Sequence, residues 1–207
     1  MIVHDILQGS EEWHAVKCGK ASASEFDSIL AKGKGKQRAT YMRRIIAERL
    51  TGKPVETYRN AHMDRGTEQE PLARLAYEAR TDNLVARVGF IQHDTLLAGC
   101  SPDGLIGADG GAEIKSVIST VQVETMMRGV YPPEHVAQVQ GNLWLAKRDW
   151  WDFVSYSQDM PAHLRVYIHR VHRDEKYITA LEAEIRRFLD DVDEAVYQLQ
   201  LPVRLAA

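Results

Sequence analysis

Two turn signals in the middle of this chain constrain its fold more than any other feature. The first is Pro102-Asp103-Gly104 and the second is Asp109-Gly110-Gly111, and turns of this kind join short strands. Residues 96–98 before them and residues 112–117 after them are apolar enough to predict two strands. The pattern therefore predicts a short hairpin with an aspartate near its turn.

The second predicted strand carries two charged residues of opposite sign. Side chains alternate along a strand, so Glu113 and Lys115 would share one face while Ile114 points to the buried side. Asp103 would meet them across the hairpin. Two carboxylates can hold a divalent metal, and a lysine beside them can orient or deprotonate a water, as in phosphodiester hydrolysis. On these residues alone, a hairpin with solvated charges on its outer face explains the pattern equally well.

The general composition indicates a water-soluble globular chain. Its 207 residues are enough to bury a core, and we expect one domain over residues 1–207. We find no apolar run of membrane-spanning length, and Met1 to Asp5 lacks the basic and apolar regions of a signal peptide. Cys18 and Cys100 have no metal-ligand spacing and are expected to be free thiols. A cytoplasmic protein is the expectation.

Charge is distributed unevenly along a chain whose net charge is −3. The segment from Ser28 to Ala47 contains no acidic residue, and its basic residues are Lys32, Lys34, Lys36, Arg38, Arg43 and Arg44. A local basic segment in an acidic protein suits a polyanion that is gripped at one place. A solvated Gly/Lys loop is the simpler explanation of this segment taken alone.

Hydrophobic periodicity predicts an α/β (α+β) fold with a central mixed β-sheet flanked by helices. The predicted helices cover residues 40–50, 66–80, 133–146 and 174–199. The predicted strands cover residues 85–93, 96–100, 112–117, 150–156 and 164–171. In the second helix, Leu72, Leu75 and Ala76 are predicted to form the apolar face.

Two polar pairs on predicted helices are candidates for the same site. Glu68 and Glu70 are spaced by two, as are Gln138 and Gln140. Residues two apart on a helix diverge by about 200°, so only one member of each pair can face a site. The residues themselves leave open which member it is.

Taken in order, these segments resemble the phage lambda exonuclease family, the YqaJ-like viral recombinases of the PD-(D/E)xK nuclease superfamily. The matching segments are Gln8–Ser10, Glu12–His14, Ala21–Glu25, Arg65–Glu70, Ala98–Leu105, Glu113–Lys115, Ala137–Gln140 and Arg173–Tyr177. Each segment is weak alone, but the ordered set spans most of the chain. The resemblance implies a restriction-endonuclease-like core.

The resemblance also implies catalytic roles. Asp103 and Glu113 would be the main metal carboxylates, with the backbone carbonyl of Ile114 as a further ligand, and Lys115 would orient or activate the attacking water. Hard oxygen ligands suit one or two Mg²⁺ ions, which Mn²⁺ can replace.

Two further residues take roles from the family. Glu70 would be its additional acidic residue, acting on the metal directly or through a water. Gln138 would lie beside Lys115 and the water. Glu68 and Gln140 are then the members of each pair that turn away.

Members of this family digest one strand of linear duplex DNA from its 5′ end and leave 3′ overhangs for single-strand-annealing recombination. The positions that match its 5′-phosphate pocket are Lys17, Ser22, Ser24 and Ser101. The lambda member has arginine where this chain has Lys17, and a lysine lacks the bidentate fork. Lys34 would approach DNA ahead of the site, and Met63 would wedge between bases at the duplex end.

The expected partners are duplex DNA with a 5′-phosphorylated end, a single-strand annealing protein, and two further copies of the chain in a ring-shaped homotrimer. Two alternatives stay open. One is an endonuclease of restriction or repair on the same core, and the other is a DNA-binding protein without catalysis. The presence of Asp103, Glu113 and Lys115 together speaks against the second alternative.

Overall fold

The computed structural model of this chain describes residues 1–31, 36–55 and 61–201, without the side chains of residues 61–64 and 67, and contains both helices and strands. The helices are α1 (Glu11–Lys17), α2 (Phe26–Leu30), α3 (Gln37–Thr51), α4 (Ala61–Thr81), α5 (Ser119–Arg128), α6 (Val136–Ala146) and α7 (Glu175–Gln200). The strands are β1 (Ile2–His4), β2 (Ala21–Ser22), β3 (Phe90–Gln92), β4 (Ala98–Cys100), β5 (Gly104–Ile106), β6 (Gly110–Ser116), β7 (Trp150–Tyr156) and β8 (Val166–His172). Short 3₁₀ helices cover Ala23–Glu25, Pro133–His135 and Ala162–Leu164.

The strands form two mixed four-stranded sheets where the sequence predicted one. In the sheet ordered β5-β6-β7-β8, β6 runs parallel to β7 and the outer pairs are antiparallel. In the sheet ordered β1-β3-β4-β2, β2 runs parallel to β4. The expected α/β fold class is confirmed, and both sheets are flanked by helices.

Alternation along β6 and β7 gives the larger sheet two apolar faces. Trp151 and Phe153 belong to the main core with α6 and α7, while Ile114 and Val154 pack with Tyr77 of α4 on the opposite face. A strand buried on both sides is held in register strongly, because a slip of one residue would exchange its faces. This fixes the face on which Glu113 and Lys115 lie.

The hairpin exists, but its first strand is not the predicted one. Residues 98–100 form β4 in the other sheet, whereas β6 pairs with β5, which begins at Gly104. The chain crosses from one sheet to the other at Ser101-Pro102-Asp103. A Cβ atom on Gly111 would lie 2.3 Å from the Trp151 ring, so this position of β6 requires glycine for close packing against β7.

The predicted apolar face of the second helix is wrong at both of its leucines, whereas its third member, Ala76, packs against the core. Leu72 and Leu75 are 45% and 62% exposed, and the buried face of α4 carries Ala73 and Tyr77 instead. The hydroxyl of Tyr77 donates to the buried Asp152 carboxylate at 2.7 Å, which ties this face of the helix to β7. The Tyr77–Asp152 hydrogen bond therefore determines which face of α4 is buried, and the positions of the leucines do not indicate that face.

The terminal helix and the β7–β8 hairpin agree with the prediction. Asp174 caps α7 by accepting from the Tyr177 amide, and α7 packs on α3, where Tyr41 stacks on Phe188. Helix α3 begins at Gln37, three residues before the predicted start, and ends at Thr51, one residue beyond the predicted end, with Gly52 as a left-handed C-cap. In the described ranges, no helix has the length and apolarity to cross a membrane.

Candidate active site

The aspartate of the Ser-Pro-Asp-Gly turn is fastened to the neighbouring strand. The Asp103 Oδ2 atom accepts the backbone N–H of Ile114 at 2.5 Å. Ile114 lies between Glu113 and Lys115 on β6, so this bond brings Asp103 beside both charged residues. The structure therefore unites the three residues predicted from the hairpin.

Glu113 is held by donors on both of its oxygens. Only 2% of the residue is exposed. Its Oε1 atom accepts from Lys115 Nζ at 2.7 Å and from Gln138 Nε2 at 2.5 Å, and its Oε2 atom accepts from Asn142 Nδ2 at 3.0 Å. Charge-assisted bonds of this kind fix a buried carboxylate in one orientation.

Helix α6 supplies two of these donors from one face. Gln138 and Asn142 are four residues apart, the spacing that places side chains one above the other on a helix. Asn142 was missed by the sequence reasoning, although its spacing from Gln138 was a usable signal. Gln140 is buried away from the site, where it accepts from the Asp174 amide and donates to the His172 carbonyl.

The glutamate pair on α4 divides in the same way. Glu70 lines the groove that contains Asp103, whereas Glu68 is exposed. The Arg74 Nη2 atom donates to Glu70 Oε1 at 2.7 Å and lies 3.4 Å from the carbonyl oxygen of Asp103. Arg74 is buried and was also missed by the sequence reasoning. It connects α4 to the turn that carries Asp103.

The electrostatics of the site reflect crowded negative charge. Burial, and then the charge of Glu113, raise the pKa of Asp103 well above its usual value. Burial lowers the pKa of Lys115, but the charges of Glu113 and Asp103 outweigh this effect and raise it overall. Carboxylates that repel each other in a desolvated place are partners for a cation.

These residues fit a divalent cation by their chemistry. Within the described parts of the chain, we find no group of three or more His, Cys, Asp and Glu residues arranged to hold a metal. The available ligands are the carboxylates of Asp103 and Glu113, the Ile114 carbonyl, and Glu70 nearby on α4. All of them are oxygen donors, which suit Mg²⁺ or Mn²⁺ rather than zinc.

A groove of about 830 Å³ joins this centre to the residues predicted for the end phosphate. It is lined by Lys17, Ser22 and Ser24 as well as by Asp103 and Lys115. Ser22 and Ser24 lie in and after β2, with their Oγ atoms 3.2 Å apart. Residues that are far apart in sequence therefore share one continuous space.

The fourth predicted phosphate residue, Ser101, is connected to this group through Trp13. The indole N–H of Trp13 donates to Ser101 Oγ at 2.8 Å, and Lys17 Nζ lies 3.7 Å from the centre of the same ring. Burial, followed by repulsion from Arg44, lowers the pKa of Lys17 to about 8. Lys34 and the side chain of Met63 lie outside the described residues, so their predicted roles have no structural test.

A hairpin with two carboxylates and a lysine, set in a mixed sheet between helices, defines a restriction-endonuclease-like fold. The chain belongs to the family of YqaJ-like viral recombinase domains, whose family model matches residues 12–149. The expected family is thereby confirmed, and membership supports a nuclease role.

Solved structures of exonucleases are similar to this chain. The alkaline exonuclease LHK-Exo from Laribacter hongkongensis is 37% identical, with a TM-score of 0.86 over 92% of this chain and 96% of that chain. A structure of LHK-Exo in complex with dAMP gives a TM-score of 0.87 at the same identity and coverage. A phage-related exonuclease from Haemophilus somnus 129PT, at 13% identity and a TM-score of 0.67 over 87% of this chain and 96% of that chain, shares the fold.

Proposed function

We propose that this protein is a Mg²⁺-dependent 5′→3′ exonuclease that digests one strand of linear duplex DNA and leaves 3′ single-stranded overhangs. One observation carries the proposal. The groove that holds Asp103 and Lys115 also holds Lys17, Ser22 and Ser24, which are suited to an end phosphate. The exonuclease activity named for LHK-Exo, at 37% identity, supports it.

In this proposal Asp103, Glu113 and the Ile114 carbonyl would hold one or two Mg²⁺ ions, for which Mn²⁺ could substitute, and Glu70 would contribute directly or through a water. When bound, the metal polarises the scissile phosphate and stabilises charge on the leaving oxygen. Its binding also relieves the repulsion between Asp103 and Glu113 that raises the pKa of Asp103.

Lys115 and Gln138 act on the attacking water in this proposal. The Lys115 ammonium group donates to Glu113 Oε1 at 2.7 Å and has two further N–H donors with which it would orient the water. Gln138 already donates to the same oxygen of Glu113 as Lys115 does, at 2.5 Å. The two side chains are therefore positioned to hold a water against one carboxylate oxygen.

The end-phosphate pocket sets the length of the product. Lys17 and the hydroxyls of Ser22, Ser24 and Ser101 would hold the terminal phosphate, so that the next phosphodiester reaches Asp103. Because Trp13 donates to Ser101 Oγ, the Ser101 hydroxyl hydrogen remains available for a phosphate oxygen. Each cut would then release a mononucleotide.

We further propose that three copies form a ring around the duplex and that an annealing protein coats the exposed 3′ strand in the bacterial cytoplasm. The free thiols Cys18 and Cys100 are compatible with a reducing compartment. Light scattering at micromolar concentration should give the mass of a trimer. A monomer mass would contradict the ring.

Digestion of linear and covalently closed circular duplex separates the exonuclease from an endonuclease on the same fold. We expect Mg²⁺-dependent loss of the linear duplex, an intact circle, and no digestion in EDTA. Nicking or cutting of the circle at a comparable rate would favour the endonuclease. Activity that survives in both Asp103→Asn and Glu113→Gln would refute the site, and Glu68→Gln serves as the matched control on the exposed side of α4.

A further inference from the structure

Arg44 is a groove cation that the proposed function leaves without a role. It lies on α3 in the acid-free segment and lines the same groove as Lys17, Ser22 and Ser24. Its charge reaches Lys17, because repulsion by Arg44 is the largest contribution after burial to the lowered pKa of Lys17. Lys17 and Arg44 therefore line one groove from different helices, beside the carboxylates of Glu25 and Glu48, and two cations facing one groove suit an anion of more than one charge.

The guanidinium of Arg44 is positioned by two neighbours. Its Nη2 atom donates to Glu25 Oε1 at 3.0 Å, and the guanidinium carbon lies 4.7 Å from the centre of the Tyr41 ring. Glu25 is itself steadied by Ser28, whose hydroxyl lies 3.1 Å from Glu25 Oε2. A guanidinium has five N–H donors, so these neighbours orient the fork and leave donors for a ligand.

The same tyrosine connects Arg44 to the two serines of the pocket. The Tyr41 hydroxyl accepts the backbone N–H of Ser22 at 2.8 Å, which ties α3 to β2. The side-chain hydroxyl of the same Ser22 lies 3.2 Å from the hydroxyl of Ser24. Arg44 is therefore held in a fixed relation to hydroxyl donors that face the same groove.

We propose that Arg44 is the bidentate ligand of the terminal 5′-phosphate and, together with Lys17, determines the preference for phosphorylated ends. This inference rests on the proposed function, whose phosphate pocket it completes. Lys17 is a point charge, and Arg44 supplies the planar fork that matches two phosphate oxygens. A terminal phosphate carries a charge of about −1.5 to −2 at neutral pH, which two cations match.

The test compares Arg44→Gln and Arg44→Lys with wild type and with Arg43→Gln. Arg43 is the matched control, because it is exposed on the same helix and donates to Thr40 Oγ1 at 3.2 Å. Fluorescence anisotropy in EDTA would measure the affinity for a labelled duplex with either a 5′-phosphate or a 5′-hydroxyl end. Thermal unfolding of each variant reports whether it folds.

We expect wild type and Arg43→Gln to bind the phosphorylated end more tightly. Arg44→Gln should lose about tenfold or more of that preference through weaker binding of the phosphorylated end alone, the size expected for charge-assisted bonds. Arg44→Lys should restore part of it. If Arg44→Gln does not fold, Arg44→Lys is the test variant. It keeps the charge but lacks the planar fork, so its preference for phosphorylated ends should still be several-fold weaker than that of wild type.

Equal binding of both ends by wild type would overturn the inference. So would an undiminished preference for phosphorylated ends in folded Arg44→Gln or, if that variant does not fold, in Arg44→Lys. Nuclease assays with Mg²⁺ are read separately. An Arg44-dependent preference in a protein that cuts no duplex would refute the proposed function and support the inference. Cutting from 5′ ends that is unaffected by Arg44 substitutions would support the proposed function and refute the inference about Arg44.

Discussion

The two parts of the groove are built in different ways. The centre of the proposed catalytic part is local, because Asp103, Glu113 and Lys115 come from the Ser-Pro-Asp-Gly turn and the nearby strand β6, and α4 and α6 add Glu70 and Gln138 around it. The end-phosphate part is assembled from four places, with Lys17 on α1, Ser22 on β2, Arg44 on α3 and Ser101 beside the catalytic turn. A local site depends on register, whereas an assembled site depends on packing between elements.

The two parts also differ in how their polar groups are paired. In the catalytic part, Glu113 accepts protein donors on both oxygens, which fix the orientation of its carboxylate. In the end-phosphate part, the groove is lined by cations and hydroxyls together with fewer carboxylates, and these residues are Lys17, Arg44, Ser22, Ser24, Glu25 and Glu48. We expect substitutions in the catalytic part to lower kcat, and those in the end-phosphate part to change which ends are recognised.

The largest expected effect is on Asp103. Asp103→Asn should lower kcat by about a thousandfold because it removes a charged ligand of the proposed metal. The same change should raise the thermal unfolding midpoint at pH 8 in EDTA. The pKa of Asp103 is raised on folding, so its ionised form destabilises the fold increasingly as the pH rises above the ordinary value for aspartate.

Comparison at lower pH provides the control for this stability effect. The advantage of Asp103→Asn over wild type should shrink as the pH falls and the native aspartate takes up its proton. A variant that is less stable than wild type at pH 8 would show that the carboxylate contributes more through its bond to the Ile114 amide than it costs by repulsion.

The next effect is expected at Asn142, which the family comparison alone would not single out. Asn142→Ala leaves Glu113 Oε2 without its donor, and bonds to charged groups contribute about 1.5–3 kcal/mol. We expect a ten- to hundredfold fall in kcat at saturating linear duplex, as roughly follows from that energy. Gln140→Ala is the control, since it should lower stability and leave kcat unchanged.

A smaller effect concerns the pH dependence of end selection. The pKa of Lys17 is lowered to about 8, so its positive charge is lost as the pH rises through that value. The ratio of kcat/KM for phosphorylated and hydroxyl ends should fall several-fold between pH 7 and 9.5. Arg44 keeps its charge, so part of the preference should remain. Lys17→Arg should make the ratio nearly independent of pH, and an unchanged slope in that variant would contradict the assignment.

The smallest effect is expected at Trp13. Trp13→Phe keeps a ring beneath Lys17 but removes the N–H that Ser101 accepts at 2.8 Å. We expect KM for phosphorylated ends to rise by roughly threefold, with kcat nearly unchanged, as for the loss of one neutral hydrogen bond. A large fall in kcat would instead indicate that Trp13 supports the catalytic turn.

The contrast between the two parts also explains what could be predicted from sequence. The alternation Glu113-Ile114-Lys115 and the glycine turn carry their geometry locally, so the catalytic hairpin was predictable although β5 replaced β4 as its first strand. The buried face of α4 was not, because Tyr77 reaches Asp152 across 75 positions of sequence. The spacing of Asn142 from Gln138 and the place of Arg44 in the basic segment were visible in the sequence, but only the packed structure shows that these side chains contact Glu113 and Glu25.

Strand-resolved digestion tests the central claim most directly. The substrate is a linear duplex with one phosphorylated 5′ end, labelled on the 5′ nucleotide of that strand and, with a second dye, on its 3′ nucleotide. With Mg²⁺, we predict early release of the 5′ label as a mononucleotide, late release of the 3′ label, and neither in EDTA. Early release of the 3′ label, or of both labels in longer fragments, would contradict a 5′-end exonuclease.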